Sequence, residues 1–439
     1  MVSRLLSLIL LAPFVFAQNI SSSNNSTQSN TTYINNLATE FEKSGLTSLA
    51  SLVNSSDDQL FSSLGEDSSR SYVLFAPSND ASKSVFVFLC ARKYAETGVI
   101  PVAAVSNSTL NNSTLLASIL SYHVVVGNFT AGNNSSVELI SAQYPNVTIG
   151  RTLMNNSDSV HLEGGKSQVL AWTNYTDLDS NSSVVILNQA SNVTILDTTV
   201  FENLLISTVS AVLLPPSNIS TVLGPENNLT SIGSSIQNVN VSYSSSDANT
   251  TSFQEVLEAS AGYTFFAPSN AALAAGGNAL AVLAGNNSAL AALLGNHIIN
   301  GTTLYSPLIT HPQNYTSAAV NATGTFVWSG FSGDSPMAAR IGRTDLLTEN
   351  GVVHIIEGIL TELDTNSSAA SSAYASATSA AAEQSTATES GPLTATQITT
   401  SASSTATDNT AVAGKIGEEG GILGILMALM WIALGALAL

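Results

Sequence analysis

Between residues 33 and 52, Leu37, Phe41, Leu46, Leu49 and Leu52 recur at roughly helical spacing, which predicts amphipathic helical segments. Residues 72–75 then form a continuous apolar run, the pattern of a buried strand. Pro77-Ser78-Asn79 ends it, with Asn79 placed to cap a following helix. Further on, Asn112 or Ser113 opens a short helix carrying Leu115, Leu116, Ile119 and Leu120, and residues 123–126 are a β-branched strand. Alternating segments between residues 128 and 189, such as VTIGRTLM and SVVILN, predict further short strands of a mixed sheet.

The same order of elements comes round again. YVLFAPSN at 72–79 returns as YTFFAPSN at 263–270, and NNSTLLASILSYHVVVG at 111–127 as NNSALAALLGNHIING at 286–301. In that second copy Asn287 or Ser288 is the expected cap, followed by Leu290, Leu293, Leu294 and a strand at 297–299. A third pair closes each copy: NLLISTVSAVLLPP at 203–216 and NGVVHIIEGIL at 350–360. Copies this long can each bury a core, so the repeat predicts two tandem domains, at 33–216 and 217–363, rather than a short-period solenoid.

The flanks differ in kind. Residues 1–17 carry Arg4, an apolar run and Val15-Phe16-Ala17, the pattern of a secretory signal peptide. Residues 18–32 are Asn, Ser and Thr with almost no apolar content, predicting a disordered, glycosylated leader with order beginning near Tyr33. Residues 364–413 are almost wholly Ala, Ser and Thr, as in an O-glycosylated stalk. Residues 414–439 read as a spacer and an uncharged apolar tail. Small residues at Asn409-Thr410-Ala411, the spacer and the terminal tail fit a glycosylphosphatidylinositol signal with attachment at Asn409. A retained membrane span is the alternative, and it lacks the usual cytoplasmic Lys or Arg.

Composition narrows the chemistry. The net charge is −19 with 11 basic residues, which disfavours nucleic acid and anionic lipid as partners. The lone Cys90, in an apolar stretch, excludes an intramolecular disulfide and reads as a buried small hydrophobe. About 25 Asn-x-Ser/Thr sequons mark a heavily glycosylated surface if the chain is secreted. Among those within the two domains, Asn54, Asn107, Asn128, Asn146, Asn174, Asn228, Asn249, Asn314 and Asn321 are singled out as candidates. No nucleophile elbow, zinc-type histidine spacing or phosphate loop is present, so no catalytic residue, metal or cofactor is assigned. Tyr122, His123, His297 and His354, at or in β-branched strands, are candidate binding residues. The other reading of the three histidines is as buried rings, each satisfied by a backbone partner. Gly351 is expected to supply a turn conformation.

The three phrase pairs resemble the fasciclin-like domain family, and the layout is similar to fungal lipid-anchored members with two such domains. The strand running into Phe-Ala-Pro-Ser-Asn is met at 75–79 and 266–270, and the Tyr-His motif at Tyr122-His123 but only in part at Asn296-His297. The closing motif is nearly complete at 350–360, whereas 203–207 lacks its glycine and histidine. The resemblance implies an α+β fold, two β-sandwich wedges each packed with short helices. It also implies a non-enzymatic, lipid-anchored cell-surface glycoprotein acting in adhesion or in matrix or cell-wall contact, with proteins or glycans as partners. The alternative is a structural wall or vacuolar/endomembrane component that organises membranes without an external ligand.

Overall fold

The computed structural model describes residues 24–55, 59–67, 69–82, 113–131, 137–177, 181–190, 192–241, 251–283, 286–309, 313–316, 323–326, 339–360, 379 and 391–393. The signal peptide, Cys90, Asn107, Asn249, Asn321, nearly all of the stalk, and Asn409 with the apolar tail lie outside them. Among the described residues no helix is long and apolar enough to cross a membrane.

The chain is α+β, and its described strands form two main sheets with a shared central pattern and three two-stranded ribbons. Helices α1 (Asn24–Lys43), α2 (Thr47–Ser55) and α3 (Gln59–Glu66) precede strand β1 (Tyr72–Pro77). Helix α4 (Ser113–Tyr122) leads into β2 (Val124–Val126), and β3 (Thr130–Ala131) and β4 (Glu138–Leu139) form a small ribbon. Strands β5 (Thr148–Arg151), β6 (Val169–Thr176), β7 (Ser182–Ile186), β8 (Val193–Phe201) and β9 (Leu204–Val209) complete a seven-stranded sheet, ordered β2-β1-β9-β8-β7-β6-β5. Its two ends meet at a bridge between Val125 and Thr152, so the sheet curls on itself.

The second half repeats the centre of this plan. Helices α5 (Ile219–Val222) and α6 (Thr230–Asn238), the ribbon β10 (Asn240–Val241) with β11 (Thr251–Ser252), and α7 (Phe253–Ala259) come before β12 (Tyr263–Pro268). Helices α8 (Asn270–Leu283) and α9 (Asn287–Asn296) then lead to β13 (Ile298–Asn300). A hairpin of β14 (Gln313–Thr316) and β15 (Thr323–Phe326) follows, then β16 (Ile341–Thr348) and β17 (Gly351–Ile356). The sheet order is β13-β12-β17-β16. In both sheets the Phe-Ala-Pro strand pairs antiparallel with the strand after the histidine and parallel with the closing strand.

Every residue of β1 and of β12 is buried, because both sheet faces are covered. The period of two sorts them. Tyr72, Leu74 and Ala76 pack with Leu37, Phe41 and Phe61 of the helices, while Val73 and Phe75 face Trp172 and Phe129 inside the curled sheet. Likewise Tyr263, Phe265 and Ala267 pack beneath the second set of helices. The two halves also pack on each other. Val147, Ile149, Val169 and Ala171 form one apolar cluster with Tyr305, Leu347 and Val352. Gln168 Nε2 donates to Thr348 O (3.0 Å), Asn188 Nδ2 to Asp345 O (2.6 Å) and Thr303 Oγ1 to Glu163 Oε2 (2.6 Å) across the junction.

Two local expectations are corrected. Helix α1 begins at Asn24, well inside the leader expected to be disordered, because extending a helix fixed by buried Tyr33, Leu37 and Phe41 adds one bond per residue and avoids the cost of a new nucleus. Gly351 is not a turn residue of positive φ; a Cβ there would sit 2.7 Å from the Tyr263 ring and carbonyl, so it serves close packing.

Candidate functional site

The motif residues act as clamps, and each clamp occurs twice. At the end of the Phe-Ala-Pro strand, Ser78 and Ser269 cap the next turn, with Oγ accepting from Ala81 N and Ala272 N, both at 3.1 Å. The asparagines beside them reach elsewhere. Asn79 Oδ1 accepts from Ser48 N (3.0 Å) and its Nδ2 donates to Gly45 O and Thr47 Oγ1, so it caps α2, which lies earlier in the chain. Asn270 does the same for α6 through Ser231 N and Thr230 Oγ1. The expected following-helix cap is thus the serine, and the asparagine ties the strand end to a helix. The cap of α9 is Asn286, whose Oδ1 accepts from Ala289 N, one residue before the pair expected from the pattern.

The histidines are clamps as well. His123 Nδ1–H donates to Ile119 O (2.7 Å), and its Nε2 accepts from Leu213 N (2.9 Å). His297 repeats this with Leu293 O (2.7 Å) and Leu360 N (3.0 Å). Each pins a helix end to the segment after the closing strand and is 1% exposed, and burial drives each ring's pKa down from 6.5 to about 4, partly offset by the backbone bond. His354 is fully buried, stacked on Phe266, with Nε2–H donating to Leu304 O (2.8 Å) and Nδ1 accepting from Asp345 N (3.3 Å). Burial again lowers its pKa, against the nearby Asp345 carboxylate. Tyr122 is fully buried and its hydroxyl has no hydrogen-bond partner among the described residues; burial pushes its pKa well above 10.

The structure therefore places Tyr122, His123, His297 and His354 in the interior, not on an exposed face. What the surface offers instead is an aromatic pair the sequence did not single out. Tyr144 and Tyr175 are 58% and 48% exposed and meet edge to face at 5.7 Å. Backbone bonds from Tyr144 N to Asn174 O and from Asn174 N to Ala142 O hold the two segments side by side. The signal for them is faint: two tyrosines in polar surroundings, Tyr144 two residues before the Asn146 sequon and Tyr175 inside the Asn174 sequon. Asn128, Asn146 and Asn228 are exposed and Asn174 is half-buried, so four of the candidate sequons lie at or near the surface. The side chains of Asn54 and Asn314 lie outside the description.

An apolar groove of about 400 Å³ between α6, α8 and α9 is lined by Ile232, Leu273, Leu290, Leu293 and Ile359. His297 is its one titratable lining residue, and both ring nitrogens are engaged by backbone. Among the described residues no group of three or more His, Cys, Asp or Glu is placed to hold a metal.

Taken together, a parallel pair of central strands, a strand-end asparagine that caps an earlier helix and a histidine that pins a helix to the closing segment define a repeated α+β module. The family model of the fasciclin domain matches residues 240–362, within the second copy. No curated protein matches the chain. Among solved structures it is similar to the FAS1 domain pair of the insect cell adhesion molecule fasciclin I, at 13% identity and a TM-score of 0.32, covering 73% of this chain and 98% of that one.

Proposed function

We propose that this chain is a non-enzymatic cell-surface glycoprotein that mediates adhesion, or contact with matrix or cell wall, through two fasciclin-like modules. In this reading a lipid anchor at Asn409 holds it beyond the membrane on the Ser/Thr/Ala-rich stalk. The observation that carries it is the fasciclin domain at 240–362, with its strand pairing and clamps repeated in the first copy. The interior position of the four motif residues supports a scaffold role for them, and moves recognition to the outer surface. There the Tyr144–Tyr175 pair offers two ring edges and hydroxyls to a glycan or protein, and many such weak contacts across a cell surface sum by avidity.

The burial of Tyr122 and His123 also favours the second reading, a structural wall or endomembrane component without an external ligand. Phosphatidylinositol-specific phospholipase treatment of intact cells separates the two. Release of the protein into the medium supports the lipid-anchored display, and retention in an internal membrane fraction overturns it.

A further inference from the structure

The seven-stranded sheet closes incompletely. Its end strands β2 and β5 are joined by the Val125–Thr152 bridge and by Leu153 N donating to Val124 O (2.9 Å). Beyond that point the carbonyls of Val126 and Ile149 are taken up by a segment more than 200 residues away in sequence. Gly391 N donates to Val126 O and Leu393 N to Ile149 O, each at 3.2 Å, so that three residues of the Ser/Thr/Ala-rich tail span the seam. Leu393 is 4% exposed, within the cluster of Val147, Ile149, Val169 and Ala171 from the first copy and Tyr305, Leu347 and Val352 from the second.

The chemistry fits a recognition element. Gly391 has φ +89°, a backbone region that L side chains rarely adopt, so a glycine is required to turn the tail onto the seam. Pro392 narrows the backbone choices of the next turn of chain. Leu393 is a large aliphatic side chain in a stretch dominated by Ala, Ser and Thr, and it enters the apolar cluster where the two copies meet. We propose that this seam is a docking site for an extended Gly-Pro-Leu peptide, filled by the chain's own tail, which straps the two copies together and fixes where the tail leaves them. Because the tail is covalently attached, its effective concentration at the seam is high, and a site too weak to hold a free tripeptide holds it.

The strap has a consequence that rests on the lipid-anchor reading. With the strap closed, the tether from the body to Asn409 is roughly 16 residues; with it open the tether is roughly 46. At full extension these are roughly 55 Å and roughly 160 Å, so the strap sets how far the adhesive body stands from the membrane.

Hydrogen exchange by mass spectrometry on the full mature chain tests the docking itself. The amides of Gly391 and Leu393 are expected to exchange at least tenfold more slowly than their intrinsic rates. Leu393→Asp is expected to abolish that protection, and Leu393→Met to keep it, while the amides of β12 and β17 stay protected in all three proteins and show that the body is intact. Intrinsic-rate exchange in the wild type, or protection unchanged by Leu393→Asp, overturns the proposal. Exchange is read whether or not the chain is lipidated, so failure of the strap and failure of the anchor are told apart.

Discussion

Asn203 and Asn350 make the same set of bonds in the two copies. Asn350 Nδ2 donates to the carbonyls of Leu257, Glu258 and Ser260, and Asn203 Nδ2 donates to those of Leu64, Asp67 and Arg70. One amide thus ties the start of the closing strand to the loop that enters the central strand, across a separation of about 90 residues in one copy and about 135 in the other.

Removing this clamp leaves buried carbonyls without donors, which costs more than the net value of the bonds. Asn350→Ala is therefore expected to destabilise the protein by about 2–4 kcal/mol. Asn203→Ala is expected to cost less, because part of its contact is exposed. Urea midpoints with unchanged slope check both.

The first copy's departures from the motif are read out by Ser207. It pairs with Phe75 as His354 pairs with Phe266, and its buried hydroxyl has no hydrogen-bond partner among the described residues. Ser207→Ala is expected to be neutral or slightly stabilising, since it removes an unsatisfied polar group. His354→Ala is expected to lose about 2–4 kcal/mol, through a cavity and two severed bonds. Equal costs for the two substitutions, measured by thermal melting, would contradict these roles.

Acid stability follows from the paired histidines. His123 and His297 have pKa values near 4 when folded and near 6.5 when unfolded, so between those values the unfolded chain binds more protons. Stability is then full above about pH 6.5 and is lost as pH falls from there toward 4. The double variant His123→Gln/His297→Gln is expected to be weaker at pH 7 and to show a flatter profile across that window. An unaltered slope in denaturation at stepped pH would count against buried, neutral imidazoles.

Glycine substitutions separate packing from backbone strain. Gly351→Ala drives a Cβ to 2.7 Å from the ring and carbonyl of Tyr263, so about 2–3 kcal/mol of loss is expected. Gly45→Ala meets no atom within 4 Å and bears only the strain of φ +74°, about 1 kcal/mol. Calorimetric midpoints are expected to rank them in that order.

The sequence carried the local elements well. Repeated phrases marked both central strands, both helices running into the histidines and both closing strands, because burial on two faces leaves a continuous apolar signature. What it did not show are contacts between distant residues: Asn79 capping α2 rather than the turn after it, Asn203 holding three carbonyls, and Leu393 in the junction of the two copies. These depend on which loops meet in space, and no local period encodes that. The histidines were legible as special residues with two readings, ligand-binding or buried against backbone, and the structure shows the second; a histidine before a β-branched strand reads alike in sequence whether its partner is a ligand or a carbonyl.

On the proposed function, the motif residues build the module while its outer face makes the contact. It is tested most directly by measuring adhesion of cells that display Tyr144→Ser/Tyr175→Ser or, separately, Tyr122→Phe, with surface levels matched by antibody. The double substitution is expected to lower adhesion several-fold, and Tyr122→Phe, which removes only a buried hydroxyl, to leave it unchanged. Loss of adhesion with Tyr122→Phe and none with the surface pair would contradict it.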